Sequence, residues 1–371
     1  MKKLFVPLFL IIALLGPAAC SKKAAETPSL PAYKIGIDPV GAKIIEGENL
    51  NIPYWLEKGA LKHVLIRLSG TDGLVPVQPG QLDTLSALKR DKQYQKIYSA
   101  GIPPAGEAVY YPANTAYLAE KLGIADEIYW VVPIFGSIDD EQLEGFKKYL
   151  KGKMPEKSEE IDAIKINGSV AEGTVNGIPI KILGLEDFPK LDKPALLDID
   201  LSFFSSLYGG EKETPMLKLI SGFLETLKNR NISADTVTLS CSNQDGSVPF
   251  KFRFIASYLR EIFKNPAMIN AQPPELWSER AEAWGIEQKN MNSAVLVYKA
   301  ILKKFPQDAA SHYDLSFAYF QLDKNPECIN ELAEAVKSDN GYAPAYKDYA
   351  AMLTSAGRKA EAKLYIAGPS R

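Results

Sequence analysis

Histidine, cysteine and net charge are the scarce features of this 371-residue chain, and each scarcity removes a class of chemistry. With only His63 and His312, the sequence cannot supply the imidazole-rich ligand sets that hold catalytic zinc or a pair of manganese ions. Of three cysteines, Cys241 and Cys328 lie in apolar stretches and are expected as small buried hydrophobes rather than a disulfide or a metal site. Lys and Arg total 43 against 45 Asp and Glu, a formal charge of -2, so no basic field exists to hold nucleic acid. No Gly-rich phosphate loop follows a strand pattern, Ser240 and Ser242 have no histidine base near them in sequence, and Cys241 has no activating partner.

What is present is ordinary for a folded protein of about two domains: 46% hydrophobic and 24% charged residues. The N-terminus is patterned for export. Lys2 and Lys3 precede an apolar run from Leu4 to Leu15, too short to span a bilayer, and Gly16, Pro17, Ala18 and Ala19 lead to Cys20. Small residues before a cysteine resemble a bacterial lipoprotein signal, which implies a signal peptide over 1–20 and a lipid on Cys20. Pro17 departs from the leucine usual there; cleavage after Ala19 without lipid also yields an exported protein. Residues 21–32 are polar, contain proline and are expected as a tether, and Ser21 in place of Asp favours the periplasmic face of an outer membrane by the same resemblance.

The C-terminal part, 275–371, is a repeat. Ala294, Cys328 and Ala362 recur every 34 residues as small residues where helices approach, and Tyr298, Leu332 and Ile366 recur with the same spacing as large apolar ones. Pro306 stands where a helix should end, with Asn340 in its place one unit later. Leu315, Ser316 and Tyr319 mark the first helix of the second unit; Tyr349, Ala350 and Leu353 mark that of the third. The first unit departs, with Ala281, Glu282 and Gly285. The pattern resembles the tetratricopeptide repeat, which implies a groove for a protein or peptide partner. The same helices serve equally as a buttress for the preceding domain. Tyr313, Tyr319, Tyr342, Tyr346 and Tyr349 lie at helical spacing, which is more often core than a binding stripe.

Residues 33–266 alternate β-branched runs with helical periodicity, the mark of an α/β domain with a mainly parallel, three-layer sheet. Strands are expected at Val64 to Leu68, Glu127 to Ile134, Ala195 to Leu201 and Thr236 to Ser240, and helices at Ala113 to Leu122 and Met216 to Lys228. Asn167-Gly168 and Asn176-Gly177 are turn dipeptides between alternating segments, so Ile164 to Leu183 is expected as a hairpin inserted in the sheet. Pro266, Pro273 and Pro274 predict a stiff junction to the repeat.

IPYWLEKG from Ile52, VLIRLSGTDGLVPV from Val64, EIYWVVP from Glu127, LLDIDLSFF from Leu196 and VTLSCSNQDGSVPF from Val237 resemble, in that order, an uncharacterised arginase-related family with the ureohydrolase and deacetylase-like fold. The resemblance implies divalent metal, manganese or zinc, held by carboxylates and histidines at one edge of the sheet. Asp198 and Asp200 keep the Asp-x-Asp spacing, and Asp72 is the remaining acid of the first cluster. Ser69, Thr71 and Ser202 stand where further ligands are implied, His63 opens its strand far from that edge, and the segment Glu46-Gly47-Glu48-Asn49 has no histidine. The expectation is therefore a vestigial site without cofactor or catalytic residues, the aspartates instead bonding loop amides and capping the next helix, in an envelope scaffold. The competing expectation is a hydrolase of amide or guanidino C–N bonds completed by Glu48 or Asn49.

Overall fold

The computed structural model describes residues 41–102, 108–188, 190–191, 194–210, 216–230, 232–243 and 246–366; the signal segment with Cys20 and the tether lie outside the described residues. Eight strands form one sheet: β1 (Ala42–Ile45), β2 (His63–Leu68), β3 (Ala125–Val131), β4 (Lys165–Asn167), β5 (Val170–Val175), β6 (Ile178–Leu183), β7 (Ala195–Asp200) and β8 (Ala234–Ser240). Their order is β1-β8-β7-β2-β3-β6-β5-β4. The six from β1 to β6 in that order run parallel, and β5 and β4 close the edge as antiparallel hairpins. The hairpin turns carry the positive φ their sequence predicts, at Gly168, Asn176 and Gly177. The segment expected as one inserted hairpin is thus a three-stranded meander at the sheet's edge.

Strand ends differ from the sequence expectation for local reasons. β3 stops at Val131, two residues before Pro133, which has no N–H for the ladder. β7 stops at Asp200 because the Asp200 carboxylate accepts the Ser202 N–H (2.8 Å) as the Leu201–Gly210 helix begins.

Both sheet faces are covered, which is why the central strands are apolar throughout rather than alternating. Val64, Ile66, Leu68, Leu197, Ile199, Val237 and Leu239 point into one core, and Leu65, Leu196, Ile128 and Trp130 into the other. The first core continues through Phe250, Phe254 and Phe263 into Trp284, Tyr298, Tyr313 and Tyr349, so the boundary at 266/275 separates two architectures that share one core. A 3-10 turn over Pro266–Asn270 makes the junction.

The repeat is three helical hairpins: Glu275–Glu287 with Met291–Lys304, Ala309–Gln321 with Asn325–Ser338, and Ala345–Ser355 with Lys359–Ile366. Ala294, Cys328 and Ala362 are buried where paired helices meet, as are Leu315 and Tyr319; Pro306 is exposed just after its helix, and its carbonyl meets His312 Nε2 at 3.1 Å. Cys241 and Cys328 are both buried and free. Tyr298 and Leu332 are 0% exposed but Ile366 is 73% exposed, with Tyr365 buried in its stead. The physical reason is helix rotation: Tyr365 packs edge-on to Phe320 (5.9 Å) and Tyr349 (5.7 Å), so Ile366, one residue on and about 100° round the helix, points away from the core.

In the first hairpin Glu282 and Gly285 face solvent and Ala281 is half-buried, while Arg280, Ala283 and Trp284 are buried. This helix has turned its packed face toward the α/β domain. Tyr313, Tyr319, Tyr342 and Tyr349 are core, and Tyr346 is half-buried. Among the described residues no helix is long and apolar enough to cross a membrane.

Candidate functional site

A row of polar side chains runs across the far face of the sheet, opposite the repeat. In register, Arg67 on β2 neighbours Asp198 on β7, Asp198 neighbours Thr238 on β8, and Asp200 neighbours Ser240. Side chains two apart share a face, so these positions alternate with the apolar ones of the other core. Arg67 is 0% exposed, and Asp198, Asp200, Thr238 and Ser240 are buried with it. The Asn51–Glu57 helix closes the row from above, and Asn51 donates to Asp198 Oδ1 (2.7 Å) and to Ser240 Oγ (3.0 Å).

The Arg67 guanidinium is the centre. Its Nε donates to Asp198 Oδ2 (3.5 Å), Nη1 to the Asp72 carbonyl and Nη2 to Glu48 Oε1. Glu48 follows β1 in a short 3-10 turn, and Asp72 lies in the loop after β2. Gly73 makes the fit: its φ is +68°, and a Cβ there would stand 2.4 Å from Arg67 Nη1.

The other carboxylate oxygens are occupied by protein donors. Asp198 Oδ1 also accepts from Thr238 (3.0 Å); Asp200 accepts from the Ser202 N–H and from the Ser242 hydroxyl. Asp72 accepts the Leu74 N–H (2.7 Å) and Lys153 Nζ (2.9 Å), and Glu48 Oε2 accepts from Thr71 (3.1 Å). The three positions where the resemblance implied ligands bond their neighbours: Ser69 with Thr71 (3.1 Å), and Ser202 Oγ with the Gly70 N–H (2.9 Å). Asn49 turns away, to the Gly101 carbonyl (3.0 Å). His63 meets Asp235 at 3.3 Å at the opening of β2, far from the row's centre.

Electrostatics follow from burial. The Asp198 carboxyl is pushed up to about 7, chiefly by burial and then by Glu48, with Arg67 opposing. Asp200 is raised well above the usual range, again by burial and Glu48. Burial works against the Arg67 cation, yet Glu48 and Asp198 outweigh it and raise its pKa. Lys153 is likewise raised, burial being outweighed by Asp72.

A divalent ion does not fit this arrangement. A guanidinium fills the space between Glu48, Asp198 and the Asp72 carbonyl, and both oxygens of every acid around it already accept from protein groups. Among the described residues no three His, Cys, Asp or Glu side chains converge as metal ligands. Asp198 and Asp200 share one face of β7, as their spacing suggested, but Asp198 and the Asp72 carbonyl bond an arginine, while Asp200 bonds Ser202 and Ser242. Arg67 escaped sequence reasoning, although an arginine inside the apolar run VLIRL was a signal: a strand covered on both faces buries a charge only where partners await it.

A second polar constellation holds the repeat to the α/β domain. Phe250-Lys251-Phe252-Arg253-Phe254 lies against the hairpins: Phe250 beside Tyr313 (6.0 Å) and Tyr342 (6.2 Å), Phe252 and Phe254 edge-on to Trp284 (5.5 and 5.3 Å). Arg253 clasps Glu46 through two 2.8 Å bonds and Asp339 through bonds of 2.7 and 3.1 Å. Arg280 donates to Asp314 (2.6 Å) and lies over the Phe254 ring (4.2 Å). A cleft of about 440 Å³ opens beside this joint, lined by Glu46, Arg253, Arg260, Asp308, Asp339 and Tyr342.

The molecule is therefore a mostly parallel α/β sheet domain extended by a helical-hairpin repeat. A tetratricopeptide repeat family model matches residues 286–353, within the three hairpins. No curated protein matches the chain.

Proposed function

We propose that this chain is an exported, lipid-anchored and non-catalytic interaction protein: a degenerate ureohydrolase-like domain joined to a repeat that meets a protein or peptide partner. The observation that carries the non-catalytic reading is the engagement of both oxygens of Glu48, Asp72, Asp198 and Asp200 by protein donors around Arg67, which leaves no open acid to activate water. The match to a tetratricopeptide repeat supports the partner-binding part. Because Phe250 and the stacked tyrosines cover one another, the partner surface is proposed on the outer side, where Leu296 (70% exposed) and Leu364 (49% exposed) hold the same repeat position.

Metal analysis of the purified protein tests the first part: trace manganese and zinc are expected, whereas one or two equivalents would favour the hydrolase of amide or guanidino C–N bonds. Fatty-acid labelling, lost in Cys20→Ala, tests the lipid anchor, and density-gradient separation of inner and outer membranes tests its place at the periplasmic face of the outer one. A Leu296→Asp, Leu364→Asp variant that still recovers the same envelope protein as wild type would refute the outer surface.

A further inference from the structure

We infer that Arg67 is the permanent cation of the acid cluster and that the space its side chain fills is a guanidinium-selective site, shaped for a planar fork and not for a spherical ion or a point charge. The inference stands on geometry alone and goes beyond the scaffold reading, which concerns only whether the protein carries a metal and a partner.

Three features carry it. First, each guanidinium nitrogen has its own acceptor on a different segment: Nε on Asp198 of β7, Nη1 on the Asp72 carbonyl after β2, and Nη2 on Glu48 after β1. An ammonium on a flexible stem would reach these directions poorly, since it lacks the fixed planar spread of donors. Second, the loop is moulded to the group. Gly73 at φ +68° keeps open the space where a Cβ would meet Nη1 at 2.4 Å, Cζ at 2.9 Å and the Ala116 backbone N at 2.9 Å. Third, the acceptors are fixed independently of Arg67: Asn51 and Thr238 hold Asp198, Thr71 holds Glu48, and Leu74 N–H and Lys153 hold Asp72. Removing the side chain therefore leaves a preformed cavity with its acceptors in place, enclosed by Asp198 and Trp130, the cross-strand neighbours of Arg67.

The test is thermal melting of the full chain carrying Arg67→Ala, with methylguanidinium, methylammonium or manganese chloride at low millimolar concentration and matched ionic strength. The variant is expected to melt below wild type and to regain Tm only with methylguanidinium, the shift growing with the logarithm of its concentration once the site saturates. Wild type is expected to respond to none of the three. An equal rescue by methylammonium or manganese overturns the inference, as does a variant that melts with wild type. Should Arg67→Ala not accumulate folded, its refolding yield from urea replaces Tm: a yield raised by methylguanidinium alone supports the inference, and yields alike in all three salts overturn it. Metal found in wild type at other residues would sink the scaffold reading and leave this selectivity standing.

Discussion

The far face of the sheet and the joint with the repeat solve one problem, the burial of an arginine, in opposite ways. Arg67 is fully enclosed, its fork divided among three segments of the α/β domain, and its partners are themselves bonded in turn. Arg253 spans two architectures, pairing bidentately with Glu46 and Asp339, whose side chains remain about one third exposed. Apolar mass supports the joint: Trp284, Phe250, Phe252 and Phe254 pack around the paired charges. The contrast teaches that the inner arginine organises a polar core, while the outer one orients an interface whose energy is largely hydrophobic.

The strongest way to break this contrast is Trp284→Ala. It removes an indole packed against Tyr208, Phe252 and Phe254, and about 3–5 kcal/mol of stability is expected to be lost in urea unfolding. A loss under about 1 kcal/mol would show that the joint is not core.

The two glycines beside the arginines sharpen it. Gly73→Ala meets Arg67 and the Ala116 backbone at a positive φ, and about 3 kcal/mol is expected, steric crowding and backbone strain together. Gly341→Ala crowds the Arg253 guanidinium, which lines the neighbouring cleft and can shift into it, so about 1–2 kcal/mol is expected. Equal losses in the same denaturation assay would erase the difference between an enclosed arginine and one beside a cleft.

Titration probes a third buried arginine, Arg280, through its partner Asp314. Burial raises the Asp314 carboxyl to about 6 despite Arg280, so the folded chain keeps a proton that the unfolded chain has released between about pH 4 and 6. Stability from this group therefore falls as pH rises through that window, by on the order of 3 kcal/mol. Subtracting the stability profile of Asp314→Asn from that of wild type should isolate the slope; a flat difference would refute it.

The smallest effect belongs to the Lys359–Ile366 helix. Ile366→Ser is expected to change stability by no more than about 0.5 kcal/mol, whereas Leu332→Ala at the equivalent buried position should cost about 2–5 kcal/mol. Comparable melting shifts for the two would mean that Ile366 is covered after all.

The repeat was legible because its periodicity is a local property. Ala294, Cys328 and Ala362 are spaced by the geometry of one hairpin on the next, and no distant contact is needed to see it. The first helix of the first hairpin was not, because Arg280, Ala283 and Trp284 face the α/β domain and their partners Phe252, Phe254 and Tyr258 lie 22 to 32 positions earlier. In the sheet, the apolar runs announced strands and the Asp-x-Asp spacing placed Asp198 and Asp200 on one face. That spacing says nothing of what stands opposite them. The partner of Asp198 was Arg67, 131 residues away in sequence.

By itself, then, the sequence determined what depends on neighbours along the chain: helical hairpins at a fixed period, alternating strand faces, the Asn-Gly turns and the scarcity of imidazole. Only the tertiary structure decided which charge the acids enclose and which face of the first hairpin is buried. Register between β2, β7 and β8 is fixed by the joint packing of both sheet faces, and that packing sums contacts from every part of the chain.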